Sequence, residues 1–177
     1  IKHFELIANS TDLPVILYNV PSRTGVNIAI DTLKVLSQHE NIVAVKEASG
    51  SISHVAQTRA ACGDNLDIYS GNDDQIVPIL SLGGKGVISV LSNIMPKQTH
   101  DICELFAKGN VVDSAKLQIE LIDLIDGLFS DVNPIPVKEA MNIMGFDVGE
   151  CRLPLCNMSQ DGHNKLADIL RKHNLIK

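Results

Sequence analysis

The sequence predicts an α/β fold in which a parallel sheet with crossover helices is followed by a layer of helices. Between residues 15 and 91, short apolar runs rich in β-branched residues alternate with helical patterns, at a repeat of roughly 20–30 residues. This alternation is typical of right-handed βαβ units, and therefore of a parallel sheet. From Met95 onward, helical patterns follow one another with no strand between them.

Four strands are predicted, and each ends just before a group of turn residues. They cover Val15–Asn19, Ile42–Lys46, Leu66–Tyr69 and Gly86–Val90. The first strand is apolar on both faces, which is typical of a strand buried inside a parallel sheet. The segment that follows it, Pro21–Gly25, is predicted to be a loop.

Helices are predicted between these strands. The first begins at Asp31, which can cap it, and ends near His39; the second is capped by Ser51 or Ser53. The third covers Asp73–Leu82, and Pro78 is expected to kink it. Because residues 2–8 resemble the end of a helix already under way, we expect the sequence to be a piece of a longer protein.

The second half is predicted to be helical over Lys97–Lys108, Val111–Phe129, Pro136–Met144 and Gln160–His173. The longest of these helices is apolar around much of its circumference, which indicates burial on more than one side. Four parallel strands fit either a small doubly wound domain or half of an eight-stranded barrel, and periodicity alone does not separate the two.

Composition disfavours several classes of function. The net charge is −6 and no basic cluster stands out, so nucleic-acid or anionic-membrane binding is not expected. The longest apolar stretch, 76–91, is interrupted by proline and glycines and does not resemble a membrane span. The four cysteines and six histidines show no metal-ligand spacing, so we expect no metal site. Scattered cysteines are typical of reduced thiols in a cytoplasmic protein.

Three side chains that can carry chemistry lie near the predicted carboxyl ends of the strands, where α/β folds place their sites. Lys46 ends an apolar strand, and a desolvated amine of this kind can attack a ketone. Tyr18 could transfer protons, and Arg23 could bind a carboxylate. The alternatives are an ion pair of Lys46 with Glu47 or with a loop carboxylate, a core tyrosine and a surface arginine.

Five separated motifs in this order resemble the dihydrodipicolinate synthases, which belong to the class I pyruvate-dependent aldolases. These motifs are YNVPSRTG from Tyr18, VKEASG from Val45, SGND from Ser70, GGKGVISV from Gly83 and NPIPVK from Asn133. The resemblance implies the second half of a (β/α)8 TIM barrel over residues 1–108 and a C-terminal helical domain over 109–177. It also implies condensation of pyruvate with aspartate semialdehyde, in the biosynthesis of diaminopimelate and lysine.

The resemblance assigns a role to individual residues. Lys46 matches the lysine that forms a Schiff base with pyruvate, and Tyr18 matches the tyrosine that transfers protons. Arg23 matches the arginine that binds the carboxylate of the second substrate, and it is not expected in N-acetylneuraminate lyases, the alternative within this group of enzymes. Three further positions match residues that line the substrate pocket: Gly71, Ile88 and Asn133.

The resemblance implies no cofactor beyond the covalent lysine–pyruvate adduct, and it implies a tetramer of tight dimers. The first four strands of the family's barrel have no counterpart here, and the threonine pair that holds the pyruvate carboxylate lies among them. A second class of function is therefore a half-barrel that associates with itself and is not catalytic, because its open sheet edges would favour association.

Overall fold

A four-stranded parallel sheet organises the first part of the chain. The computed structural model describes all of residues 1–177 and divides them into two compact units, 1–88 and 89–177. The strands are β1 (Val15–Asn19), β2 (Ile42–Glu47), β3 (Asp67–Ser70) and β4 (Gly86–Val87). They pair in sequence order, each parallel to the next. The predicted α/β class with a parallel sheet is confirmed.

The first unit contains five helices, which precede or connect the strands: α1 (Lys2–Ala8), α2 (Pro21–Thr24), α3 (Ile30–Leu36), α4 (Ile52–Cys62) and α5 (Ile76–Ser81). Ser51 caps α4 as predicted, since its hydroxyl accepts a hydrogen bond from the His54 amide at 3.2 Å.

The core of this unit lies on one side of the sheet. Alternate strand residues, Leu17, Val45 and Ile68, are at most 1% exposed and pack against apolar side chains of the helices. On the other side of β1, Ile16 and Tyr18 are 46% and 43% exposed. The prediction that β1 is buried on both faces is therefore wrong, because its second face is open to solvent.

Three local predictions about the helices are also wrong. Residues 21–24 form the single turn α2 rather than a loop, since Pro21 occupies the first helical position, where its missing N–H costs nothing. Helix α3 begins before Asp31 and has no side-chain cap. Helix α5 begins only at Ile76, so Pro78 lies in its first turn and removes no helical hydrogen bond.

Strand β4 is two residues long, shorter than predicted. The amide of Ile88 still donates to the Ser70 carbonyl at 2.8 Å, so the pairing continues one residue beyond the strand. The chain then enters a 3₁₀ turn at Leu91–Asn93, which prevents further pairing.

The second unit is helical and contains α6 (Pro96–Ala107), α7 (Val111–Glu120), α8 (Ile122–Leu128), α9 (Ile135–Ile143) and α10 (Gln160–Lys172). The single long helix predicted for 111–129 is interrupted at Leu121, whose amide bonds to the Gln118 carbonyl in a tighter turn. Periodicity does not reveal this break, because the apolar positions continue through it. None of the helices has both the length and the apolar character that a membrane span requires.

Helix α6 belongs to the second compact unit, where it packs on α7. The predicted division at 108/109, between a barrel half and a helical domain, rests on the family's architecture and not on the compactness that separates the units at 88/89. It stays a prediction.

Candidate functional site

The register of the sheet places three side chains in one row. Tyr18 of β1 lies opposite Lys46 of β2, and Lys46 lies opposite Tyr69 of β3. All three are at or next to the carboxyl ends of their strands. Because side chains alternate between the two faces of a strand, residues paired in this way project to the same face. This face is the open side of the sheet.

Lys46 and Tyr18 are in direct contact. The Nζ atom of Lys46 lies 4.3 Å from the centroid of the Tyr18 ring, within the range of a cation–π interaction. Lys46 is half-buried, whereas Tyr18 is 43% exposed and is therefore not a core tyrosine. The pairing brings a primary amine next to a phenol, which is an arrangement of a nucleophile and a proton donor.

Gly71 provides the space that the Lys46 side chain occupies. A Cβ atom at this position would lie 3.1 Å from both Cγ and Cε of Lys46 and 2.8 Å from the Cβ of Ala48. These separations are shorter than ordinary van der Waals contact. A glycine is therefore required at residue 71 for the observed path of the lysine.

A buried polar network lies on the opposite face of the sheet, and sequence reasoning missed it. Asn19 and Glu47, which are 0% and 2% exposed, are the next paired residues after Tyr18 and Lys46. The Asn19 amide donates to both carboxylate oxygens of Glu47, at 2.9 and 3.1 Å. Glu47 therefore does not pair with Lys46, because strand alternation sends the two side chains to opposite faces. A polar residue at the same place in two successive strands was the signal available.

The remaining predicted site residues lie on different elements. Arg23 is exposed on α2, directly after β1. Ile88 extends β4 and is 39% exposed. Asn133 belongs to the second unit, two residues before α9. The structure thus brings Tyr18, Lys46 and Gly71 together within the first unit. Tyr69, in the same row as Lys46, was not singled out by sequence.

A group of three side chains with spacing suited to a metal ion occurs on the surface of α6: His100, Asp101 and Glu104. Its members also make helical ion pairs of the ordinary i,i+4 kind, with Lys97 to Asp101 and with Lys108 to Glu104. The hydrogen bond from Lys108 lowers the pKa of the Glu104 carboxyl. These pairs account for the acidic side chains without a metal.

Comparison with known proteins places this chain in a family. The model of the dihydrodipicolinate synthetase family matches residues 1–173. A 4-hydroxy-tetrahydrodipicolinate synthase of Clostridium tetani is 55% identical over 178 residues, which are 100% of this chain and 60% of that protein. The synthase of the same name from Caldicellulosiruptor saccharolyticus is 56% identical over 172 residues, 97% of this chain and 57% of that protein.

The fold agrees with solved structures. The crystal structure of dihydrodipicolinate synthase from Thermotoga maritima matches with a TM-score of 0.95 and 38% identity, over 99% of this chain and 61% of that one. The chain therefore spans about 60% of the length of the curated relatives that it matches. With a family model matched over nearly its whole length, this chain belongs to the dihydrodipicolinate synthetase family.

Proposed function

We propose that the protein to which this chain belongs condenses pyruvate with L-aspartate 4-semialdehyde to give 4-hydroxy-tetrahydrodipicolinate. One observation carries this proposal: the Lys46 amine contacts the Tyr18 ring at the carboxyl ends of two adjacent parallel strands. The names of the curated relatives described above support the synthase over N-acetylneuraminate lyase.

The chemistry begins with attack of the neutral Lys46 amine on the keto carbon of pyruvate. Loss of one water from the carbinolamine leaves a protonated imine, which acts as an electron sink. Tyr18 donates a proton to the departing hydroxyl, and it accepts a proton in a later step. Loss of a methyl proton gives an enamine, whose carbon attacks the aldehyde of the second substrate. The aldehyde oxygen takes up a proton to become a hydroxyl, and the protonated imine forms again. Attack of the substrate's own amine on the imine carbon then closes the ring and releases Lys46.

The other site residues bind the substrates in this proposal. Arg23 forms a two-pronged contact with the carboxylate of the semialdehyde. Gly71 leaves the space for the lysine adduct, which its contact distances to Lys46 support. The assignment of Ile88 and of Asn133 to substrate binding rests on the resemblance of their two motifs to the family. The imine supplies the electron sink, so the proposed reaction requires neither a metal nor an organic cofactor.

The proposed architecture is the second half of a (β/α)8 barrel followed by a helical domain. Support comes from the parallel order of the four strands and from the match to about 60% of each relative. In the full-length protein, the open face that carries Lys46 is the inner face of the barrel, and the assembly is a tetramer.

Reduction of the imine tests this proposal. We expect that full-length protein incubated with pyruvate and borohydride gains the mass of a reduced pyruvate adduct, and that peptide mapping places it on Lys46. The control variant Lys46→Arg keeps the positive charge and gains no mass. Labelling of another lysine, or of none, would remove the aldolase proposal.

For the isolated chain, self-association is a second candidate. The open sheet face exposes Ile16 and Ile88 by 46% and 39%, and β1 and β4 are sheet edges. We expect a dimer or larger species by size-exclusion chromatography with light scattering. A monomer at all accessible concentrations would exclude this candidate and would leave the aldolase proposal unaffected.

A further inference from the structure

We propose that Asn19 and Glu47 form a positioning pair that holds Tyr18 against Lys46 from the opposite side of the sheet. The positioning itself rests on geometry within the first unit. Its importance for catalysis rests on the proposed function, and the experiments below separate the two.

The two pairs are consecutive rungs of one ladder. Tyr18 lies opposite Lys46, and Asn19 lies opposite Glu47 one residue further along the same two strands. The first rung projects to the open face and the second to the buried face. A change in the spacing or twist of the second rung is therefore transmitted directly to the first.

Both the nitrogen and the oxygen of the Asn19 side-chain amide are hydrogen-bonded. Its Nδ2 donates to both Glu47 oxygens and to Oδ1 of Asn27, the latter at 2.8 Å. Its Oδ1 accepts from the Ile28 amide at 3.0 Å. The same side chain therefore links β1, β2 and the segment that leads into α3.

Glu47 is fixed equally well. Its Oε1 accepts from the Ser49 amide at 2.7 Å, and the Nε2 of His54 lies 3.6 Å from its Oε2. The main chain reinforces these contacts, since the Ala48 amide donates to the Asn19 carbonyl and the Gly71 amide to the Glu47 carbonyl. A carboxylate that is 2% exposed is costly unless its oxygens are bonded in this way.

The pair selects one register of β1 on β2. A slip by one residue would exchange the faces of the strand, so that Tyr18 entered the core and Asn19 faced solvent. Glu47 would then be buried without its amide partner, which disfavours the slipped register. Backbone hydrogen bonds alone provide no such selection, because every residue offers the same donor and acceptor.

Tyr18 depends on this selection more than a core residue would. Within this chain β1 is an edge strand and 43% of Tyr18 is exposed, so little packing of its own holds the ring in place there. The distance between its ring and the Lys46 amine is therefore set mainly by the neighbouring Asn19–Glu47 pair. Without the Asn19–Glu47 hydrogen bonds, we expect the two side chains to separate while the rest of the sheet remains.

Nuclear magnetic resonance of this chain tests the positioning without any catalysis. An amine held over an aromatic ring experiences its ring current, so the ε-methylene protons of Lys46 should resonate upfield of those of a free lysine. Tyr18→Leu should abolish this shift and gives the reference chemical shift without an aromatic ring. We expect Glu47→Ala to abolish it as well, whereas Leu36→Ala, which opens a cavity elsewhere in the same core, should leave it in place.

A reciprocal exchange distinguishes positioning from general loss of stability. Asn19→Asp places two buried carboxylates together and should also abolish the shift. Combined with Glu47→Gln, it restores one amide donor facing one carboxylate, and the shift should return. If Glu47→Ala fails to fold, this exchanged pair decides instead. A shift retained in Asn19→Asp or in folded Glu47→Ala, or absent from the folded exchanged variant, would overturn the proposal.

Catalysis is the second readout, in full-length protein. Glu47→Ala should slow trapping of pyruvate on Lys46 by about tenfold or more. If Glu47 acts through Tyr18, it should add little further loss to Tyr18→Phe, since coupled residues are not additive. Fully additive losses would contradict the positioning role. If the wild type traps no pyruvate, the proposed function fails, while the ring-current result still decides the positioning.

Discussion

Gly71→Ala is the substitution whose effect the structure defines best. The added Cβ would lie 2.8 Å from the Cβ of Ala48 and 3.1 Å from Cγ and Cε of Lys46. Ordinary contact begins at 3.4 Å, so Ala48 would have to withdraw by about 0.6 Å and the lysine chain by about 0.3 Å. Ala48 is attached to the backbone after β2 and moves reluctantly, whereas the lysine chain can rotate away.

Overpacking of this kind costs roughly 1–3 kcal/mol of stability. A cost within this range is expected here, since rotation of the lysine chain relieves its own contacts but not the shorter contact with Ala48. Its rotation moves the amine away from Tyr18, and displacement of a catalytic group by about 1 Å can cost roughly 10²-fold in rate. We therefore expect a modest loss of stability together with a large loss of imine formation.

The assay is the rate of borohydride trapping of pyruvate on Lys46 in full-length protein, measured beside a urea unfolding curve. The double variant Gly71→Ala/Ala48→Gly removes the shortest contact and keeps the clash with Lys46. It should regain stability without regaining the trapping rate. If the single variant traps pyruvate as fast as the wild type, or if the double variant recovers both properties, the lysine path described here is wrong.

Three other substitutions have defined outcomes. Tyr18→Phe keeps the aromatic ring but removes the phenol, so imine trapping should slow by roughly 10²–10⁴-fold while the fold persists. Ser114→Ala removes the buried hydrogen bond to the Ile102 carbonyl, at 2.7 Å, and should cost about 1 kcal/mol in urea unfolding. Asp123, whose pKa the Lys172 hydrogen bond lowers to about 2, should stabilise the protein above pH 3.8 and stop doing so as the pH falls through 2. Asp123→Asn should remove that pH dependence.

The magnitude of the Asp123 effect follows from its pKa. A decrease from 3.8 to about 2 corresponds to at most about 2.4 kcal/mol, and a third of the side chain is exposed, so roughly 1 kcal/mol is expected. Asp168→Asn, which breaks an exposed pair with Arg171, is the matched control and should change stability little. An equal loss in both variants, or pH-independent unfolding of the wild type, would contradict this account.

The parts of the fold that depend on local pattern were predictable. Apolar runs bounded by turn residues predicted all four strands, and the choice of Ser51 or Ser53 as the cap predicted the start of α4 to within two residues. The placement of Lys46 and Tyr18 at the ends of neighbouring strands was enough to predict that their side chains lie close together. These features follow from spacing along the chain, which the sequence contains.

The features that were missed depend on contacts between distant residues. The burial of one face of β1 and the exposure of the other depend on what packs against each face, and the apolar run gives no sign of this. The break at Leu121 is a hydrogen-bond change within an unbroken apolar pattern. The link between Asn19 and Glu47 spans 28 residues and requires the strand register, which periodicity does not provide.

The dipeptides Tyr18-Asn19 and Lys46-Glu47 lie side by side on adjacent strands and connect the two faces of the sheet. Each contributes one side chain to the open face and one to the buried face. Lysine and glutamate next to each other in sequence suggest an ion pair, but a direct pair would engage the amine that attacks a ketone in the proposed mechanism. Alternation keeps the carboxylate on the far side, where it bonds to an amide and sets the register. The Lys46 amine remains beside the Tyr18 phenol because the Glu47 carboxylate, which could have paired with it, is bonded to Asn19 on the other face.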